Sequence, residues 1–181
     1  DLKQDKNKIK GGFRKSYSSL INWGLREMKI ELHTQQNISW SAINDFKVLH
    51  TQESGRQTRS DLSWLSQYKA ILNDEAFCIQ ARYNNDLVSA GFFTLSSGHC
   101  YYASSASRRA LFDKPLFHAL MWQAIVYAMS RGATVFETGP DYPLHIQKSE
   151  TVSSKELQIA KFKSGFGGIL KPVMHVLSDN N

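Results

Sequence analysis

Two acidic side chains that follow an apolar segment are the best candidates for accepting a proton. Glu137 ends the apolar residues 133–137, and Asp141 follows it after Thr-Gly-Pro. Open sheets bind ligands beyond the ends of their strands, so either carboxylate can serve there as a general base. An apolar strand would raise the pKa of Glu137, whereas an ion pair with a structural arginine is the alternative. His50 titrates near neutral pH, but a histidine at a predicted helix end is equally typical of capping or packing.

Two pairs of arginines form a second group of candidates. Arg56 and Arg59 lie in a polar segment with Trp64 nearby in sequence, and Arg108 and Arg109 follow a predicted strand. A guanidinium binds phosphate or carboxylate through two parallel hydrogen bonds, so either pair can hold an anionic ligand. Solvated surface arginines are the alternative for both pairs.

The other reactive residue types form no recognisable site. The six histidines, at positions 33, 50, 99, 118, 145 and 175, are scattered, and neither His-x₃-His nor Cys-x₂-Cys occurs. We therefore predict no metal site, and the sequence also has no Gly-x-Ser-x-Gly or P-loop motif. Cys78 and Cys100 lie in apolar, strand-like segments. This setting favours buried thiols over a disulfide, and it favours a cytoplasmic protein.

Composition predicts a folded chain with a basic beginning. Of the 181 residues, 41% are hydrophobic and 21% are charged, and no apolar run approaches the roughly 20 residues of a membrane span. Most of the net charge of +6 lies in residues 1–29, which hold eight basic and three acidic side chains. We expect residues 1–12 to be a flexible basic arm and residues 13–181 to be one domain. The arm either contacts RNA or is simply solvated.

The apolar periodicity predicts the elements that position these residues. A helix over 13–28 precedes a strand at 29–33 and two helices, one ending near 49 and one over 61–72. Turn residues then separate three strands of an antiparallel meander. The second of those helices should turn Leu62, Leu65, Tyr68, Ile71 and Leu72 inward. The remaining elements are a helix at 115–131 capped by Asp113, a strand at 133–137, a helix at 153–163 and a strand at 169–177.

Several stretches of the sequence resemble the Fem-like acyltransferases of the GNAT superfamily. They are residues 14–24, 50–64, 101–139 and 155–168, the last of which holds Phe-Lys-x-x-Phe-Gly. Such proteins commonly carry two GNAT domains in tandem, and this chain resembles the C-terminal one. The resemblance implies an α/β fold with a mainly antiparallel mixed sheet and helices on both faces. It also leaves room for an N-terminal part outside this sequence.

The resemblance implies transfer of an acyl or aminoacyl group to an amine, with an amino sugar or cell-envelope polysaccharide precursor as acceptor. The donor would be acyl-CoA or aminoacyl-tRNA, used as a co-substrate with no tightly bound cofactor. A GNAT-like binding module without turnover, or a scaffold half of a tandem protein, is the alternative.

Roles for further residues follow from the same resemblance. Backbone N–H groups near Tyr102 and Ser104 would polarise the donor carbonyl, and Arg56, Arg59 and Trp64 would shape the acceptor pocket. Lys163, at the end of the last helix, would contact a substrate, although a cation is favourable there without one.

The expected donor loop departs from the GNAT pattern. Residues 104–115 lack the glycines that let backbone N–H groups approach a pyrophosphate, and a capping Asp113 would place a carboxylate there. Coenzyme A is therefore in doubt as the donor, and Arg108 and Arg109 would have to hold its phosphates.

Overall fold

Side-chain caps fix where several helices begin in the computed structural model, which describes residues 1–140 and 152–172. Ser39, Ser60 and Ser153 each accept a hydrogen bond from a backbone N–H in the first turn of the helix that follows. The helices are α1 (Lys6–Gly11), α2 (Tyr17–Glu27), α3 (Trp40–Ser54), α4 (Asp61–Leu72), α5 (His118–Ser130) and α6 (Ser154–Ser164), with a 3₁₀ turn at Arg109–Leu111. The strands are β1 (Lys29–His33), β2 (Ala76–Tyr83), β3 (Asp86–Ser96), β4 (His99–Ser107) and β5 (Val135–Glu137).

The five strands form one sheet in the order β1-β2-β3-β4-β5. Neighbouring strands are antiparallel except β4 and β5, which are parallel. The β2–β3 turn is tight because Asn84 and Asn85 adopt positive φ values of 52° and 68°, and Gly98 (φ 70°) does the same before β4. Helices cover both faces of the sheet, as the resemblance implies.

Alternate residues of the central strands supply two apolar cores. Phe77 and Ile79 pack on the α2–α5 face, while Ala76 and Cys78 pack on the α3–α4 face. Helix α2 crosses α5 very closely at Gly24, where an added Cβ would lie 2.6 Å from the Ala119 Cβ. No helix in the described ranges is long and apolar enough to cross a membrane.

The first twelve residues contain helix α1 and one buried side chain. Asp5 caps α1 by accepting hydrogen bonds from the backbone N–H groups of Asn7 and Lys8. Leu2 is buried, and its N–H donates to the carbonyl of Thr134 at 2.8 Å. The basic charge is therefore displayed on a short helix docked against the end of the sheet.

Two predicted helix features are wrong. Helix α5 begins at His118, and Asp113 is an exposed residue paired with Lys114 at 2.7 Å, so it does not cap the helix. Leu62, Leu65 and Leu72 of α4 are exposed, whereas Ile71 is buried as predicted. Trp64 sets the rotation of α4 about its own axis. Its indole packs against Phe46 of α3 and fills the space there, so the leucines of α4 face outward. The last predicted strand is absent from residues 169–172, and its remainder lies outside the described residues.

Candidate active site

Strands β4 and β5 separate soon after they meet. Their pairing covers three positions and ends at Tyr101 with Glu137, whereas β4 continues to Ser107. The pairing of β4 with β3 also shifts here, because Phe93 faces Tyr102 and Phe92 faces Ser104, which leaves Ala103 as an extra residue. Beyond Tyr101 the β5-facing edge of β4 therefore has no strand partner in the described part of the chain.

Lys163 of α6 reaches this opening. Its Nζ atom lies 5.4 Å from the centroid of the Tyr102 ring. A Cβ built on Gly139 would lie 2.9 Å from the same Nζ atom and 3.8 Å from the Tyr101 hydroxyl. The φ of Gly139 is +83°, a conformation that favours glycine. The lysine ammonium, Gly139 and two β4 tyrosines thus converge where the strands part.

Contacts from the beginning of the chain hold α6 in place. Tyr17 donates its hydroxyl to the carbonyl of Phe162 at 2.8 Å, and Arg14 donates a guanidinium N–H to the carbonyl of Lys161 at 3.1 Å. The Arg14 backbone N–H also bonds the carbonyl of Gly165 at 2.8 Å. These bonds fix the carbonyls of the last turn, which carries Lys163.

Tyr102 lines the opening, and its side chain is held by several contacts. Its ring stacks on Phe93 and Phe117, both at 5.4 Å between centroids, and its hydroxyl bonds Ser105. Burial raises the pKa of Tyr102 to about 12. The phenol therefore stays protonated at neutral pH and cannot serve as the base.

Glu137 lies at the mouth of the opening in a more open setting than the expected apolar strand. Its side chain is 49% exposed, and its Oε2 lies 3.1 Å from Nε2 of His99. The parallel β4–β5 pairing explains the contact. His99 pairs with Val135, which is two residues before Glu137 on β5, so both side chains point to the same face of the sheet. Sequence reasoning missed His99, since only strand order brings it near. Asp141 lies outside the described residues.

His50 and Trp64 are packed together on the α3–α4 face. The His50 Nδ1 is 3.4 Å from both the Ser54 and Thr58 hydroxyl oxygens, and its ring lies 5.5 Å from that of Trp64. Burial, followed by the charge of Arg59, lowers the pKa of His50. Trp64 is only 1% exposed, so it is a core residue, which differs from the ligand contact expected.

The predicted acceptor segment forms a shallow surface depression. Gln57, Thr58, Arg59 and Ser60 line about 240 Å³ there, and Arg56 is exposed beside them. Gln57 donates its side-chain amide to the carbonyl of Arg59 at 3.1 Å, which orders the turn.

The segment between β4 and α5 uses its backbone donors internally. The N–H groups of Leu111, Phe112, Lys114 and Leu116 bond carbonyls of the same segment. The N–H of Arg109 donates to the Glu53 carboxylate at 2.9 Å, and the Nε of Arg108 donates to the carbonyl of Leu87 at 3.0 Å. A carboxylate therefore does occupy this loop, but it comes from Glu53 of α3 and not from Asp113.

Neither a metal cluster nor a reactive thiol is found within residues 1–140 and 152–172. No group of three His, Cys, Asp or Glu side chains there could hold a metal ion. Cys78 and Cys100 are free and buried, and burial raises the pKa of each to about 12. Both thiols are therefore protonated and unreactive at neutral pH.

The burial of His118 should make the stability of the protein depend on pH. Its ring lies 4.6 Å from Tyr17 and 5.1 Å from Phe162, and burial lowers its pKa to about 4. The unfolded chain binds this proton near pH 6.5 and the folded chain near pH 4, so the free energy of unfolding should fall by about 2–3 kcal/mol as the pH drops between them. His118→Phe should remove this part of the loss in denaturant titrations at pH 4, 5.5 and 7. An unchanged profile would show that another group causes it.

Comparison with known proteins identifies the fold. No family model matches the chain, and no curated protein matches it either. Among solved structures, FemX superposes with a TM-score of 0.67 at 13% identity over 92% of this chain. An aminoglycoside acetyltransferase, meta-AAC0020 from an uncultured soil metagenomic sample, was solved with sisomicin and gives 0.63 at 12% identity over 86% of this chain and 97% of its own. AAC(6')-Iy in complex with CoA gives 0.61 at 10% identity over 84% of this chain and 95% of its own.

These similarities establish the GNAT fold that the resemblance implied. The chain spans 56% of the length of FemX, but nearly all of the two aminoglycoside acetyltransferases.

Proposed function

We propose that this chain transfers an acyl or aminoacyl group to an amine at the opening between β4 and β5. The observation that carries the proposal is the Lys163 ammonium, held over Tyr102 where the two strands part. The solved structures with the same fold include acetyltransferases that act on amines of aminoglycosides. A cation beside an unpaired strand edge suits a reaction in which negative charge develops on a carbonyl oxygen.

The chemistry is direct attack of the amine on the donor. The amine nitrogen bonds the carbonyl carbon, the carbon–sulfur or carbon–oxygen bond to the leaving group breaks, and the proton lost by the amine balances the one that the leaving group gains. Lys163 stabilises the negative charge of the intermediate, while backbone N–H groups of β4 beyond Tyr101 bind the carbonyl oxygen. The opening holds both reactants in one orientation, which removes most of the entropic cost of their meeting.

Glu137 is the proposed base. It lies at the mouth of the opening with half of its side chain exposed, so it can meet an incoming ammonium group, and His99 holds its carboxylate in place. If Glu137 is the base, Glu137→Gln loses most turnover. Full turnover of that variant would leave Asp141 as the candidate.

The proposed acceptor is an amino sugar or a cell-envelope polysaccharide precursor, approaching from the depression beside Arg56 and Arg59. An anionic acceptor would be attracted by these two guanidinium groups. We also propose a cytoplasmic location, because two unpaired thiols are typical of a reducing compartment.

The donor is proposed to be an aminoacyl ester such as aminoacyl-tRNA in preference to acyl-CoA. The Glu53 carboxylate already accepts the hydrogen bond of the Arg109 backbone N–H. This N–H belongs to the segment that would otherwise face a diphosphate. Like charges repel, so coenzyme A binding should be weak.

The donor proposal is tested by titrating acetyl-CoA into the wild type and Glu53→Gln, beside a turnover assay with alanyl-tRNA and an amino-sugar acceptor. Wild type should turn over alanyl-tRNA, and Glu53→Gln should bind acetyl-CoA about tenfold more tightly, a change of about 1.4 kcal/mol. The exposed Glu75→Gln makes the same charge change elsewhere and should leave acetyl-CoA affinity unchanged. Micromolar binding of acetyl-CoA to the wild type, unaffected by Glu53→Gln, would make coenzyme A the donor carrier.

A binding role for RNA is the second candidate. Helix α1 carries Lys6, Lys8 and Lys10, and Arg14 lies beside the end of α6 near Lys163. These basic side chains would attract the phosphates of a tRNA-borne donor. Changing the three α1 lysines to glutamine should weaken tRNA binding and flatten its dependence on salt concentration. A binding module without catalysis would retain tRNA binding but turn over none of the donors.

A further inference from the structure

Two neighbouring serines of β4 have different surroundings. Ser105 bonds the Tyr102 hydroxyl on the α2–α5 face of the sheet. The Ser104 hydroxyl is also buried, yet it has no hydrogen-bond partner among the residues that the structure describes. Buried hydroxyl groups are nearly always hydrogen-bonded, so an unpartnered one beside a candidate site is suited to a ligand that accepts a hydrogen bond.

The backbone of Ser104 lies on the β4 edge that forms the opening. It follows the extra residue Ala103, and it is three residues beyond Tyr101, where β5 stops pairing with β4. Its partner on β3 is Phe92, which belongs to the α3–α4 core. The Ser104 side chain thus lies on the α3–α4 face, whereas Tyr102 lies on the other face with Lys163 over its ring.

Lys163 and Ser104 therefore flank the same stretch of the β4 edge from opposite faces of the sheet. Lys163 supplies positive charge at Tyr102, and Ser104 follows two residues later, about 7 Å along an extended strand. A neutral hydroxyl fits a carbonyl oxygen better than a phosphate, because it donates a single hydrogen bond and adds no charge.

We propose that Ser104 is a catalytic residue whose hydroxyl donates a hydrogen bond to the carbonyl oxygen of the acyl donor. The proposal rests on the acyl-transfer function proposed above. As the amine attacks, that oxygen becomes negative and the hydrogen bond strengthens. The proton of Ser104 stays on its oxygen throughout, so no further co-reactant is needed.

The test compares Ser104→Ala with Ser107→Ala, measuring both thermal unfolding and turnover. Ser107 bonds the buried Ser89 at 2.7 Å near the end of β4, so its loss should lower Tm and leave turnover unchanged. Ser104→Ala removes a hydroxyl that has no partner in the free protein, so Tm should stay constant or rise. Turnover of alanyl-tRNA or acetyl-CoA should fall about 100-fold.

Three outcomes of this comparison would contradict the proposed role of Ser104. A fall in Tm for Ser104→Ala as large as that for Ser107→Ala would mean that the hydroxyl already has a partner in the protein, and the proposal would be overturned. Unchanged turnover with unchanged Tm would also overturn it, while leaving the acyltransferase proposal intact. If the wild type turns over neither donor with any amine, the proposed function fails, and the role of Ser104 fails with it.

Discussion

Replacing Lys163 by glutamine is expected to lower kcat/KM by about 100- to 1000-fold while the protein remains folded. The ammonium lies over the Tyr102 ring at the point where β4 and β5 separate, so it can stabilise charge that develops on a carbonyl oxygen there. Removing one such group from a site costs about 3–4 kcal/mol of transition-state stabilisation. Glutamine keeps most of the side-chain length and its packing, so the loss should appear in kcat more than in KM.

Lys161→Gln is the matched control for that variant. Lys161 lies two residues earlier on α6, is exposed, and carries the same charge. Its replacement should leave turnover within about twofold, because solvent screens the charge of an exposed side chain. Equal losses in the two variants would indicate a general effect of basic charge and would remove Lys163 from the mechanism. The Tm of each variant, measured in parallel, excludes unfolding as the cause.

Gly165→Ala is expected to have the largest effect on stability. An added Cβ would lie 2.5 Å from the Tyr17 Cε2 atom and closer still to Cζ. Tyr17 cannot withdraw, because it is 4% exposed and packed edge to face with Phe166 and His118. Overpacking of this kind costs about 1–3 kcal/mol, which corresponds to a fall in Tm of about 3–10 °C for a domain of this size.

The same substitution should also reduce turnover at temperatures where the protein is folded. Tyr17 holds α6 through the Phe162 carbonyl, so the clash at Gly165 should push the turn that carries Lys163 away from the fixed ring. Gly11→Ala is the control, since an added Cβ there meets no atom within 4 Å. It should leave stability unchanged or raise it slightly. A Gly165→Ala protein with wild-type Tm would show that the contact between α2 and α6 relaxes freely.

The order of elements was predictable because local signals repeat along the chain. Asn84-Asn85 and Gly98 take the positive φ values that tight turns require, and Ser153 forms the predicted start of α6 with a capping box to Glu156. Both signals act within a few residues, which is the range that a single sequence reveals.

Features that depend on contacts between distant segments were not predictable. The outward leucines of α4 follow from the volume of Trp64 against α3, and the His99–Glu137 pair follows from the parallel strand order. The Glu53 bond to Arg109 joins residues of two separate elements. Lys163 was singled out only through the resemblance, because the surroundings of its side chain are set by β4.

The bond from Arg14 to Lys161 joins positions 147 residues apart. Contacts between such distant positions carry an entropic cost of loop closure and are associated with slower folding. The turn that carries Lys163 can therefore reach its place only after the two distant ends of this loop have met. Removing the first seventeen residues should therefore abolish activity and also lower Tm, because Leu2, Phe13 and Tyr17 belong to the apolar core.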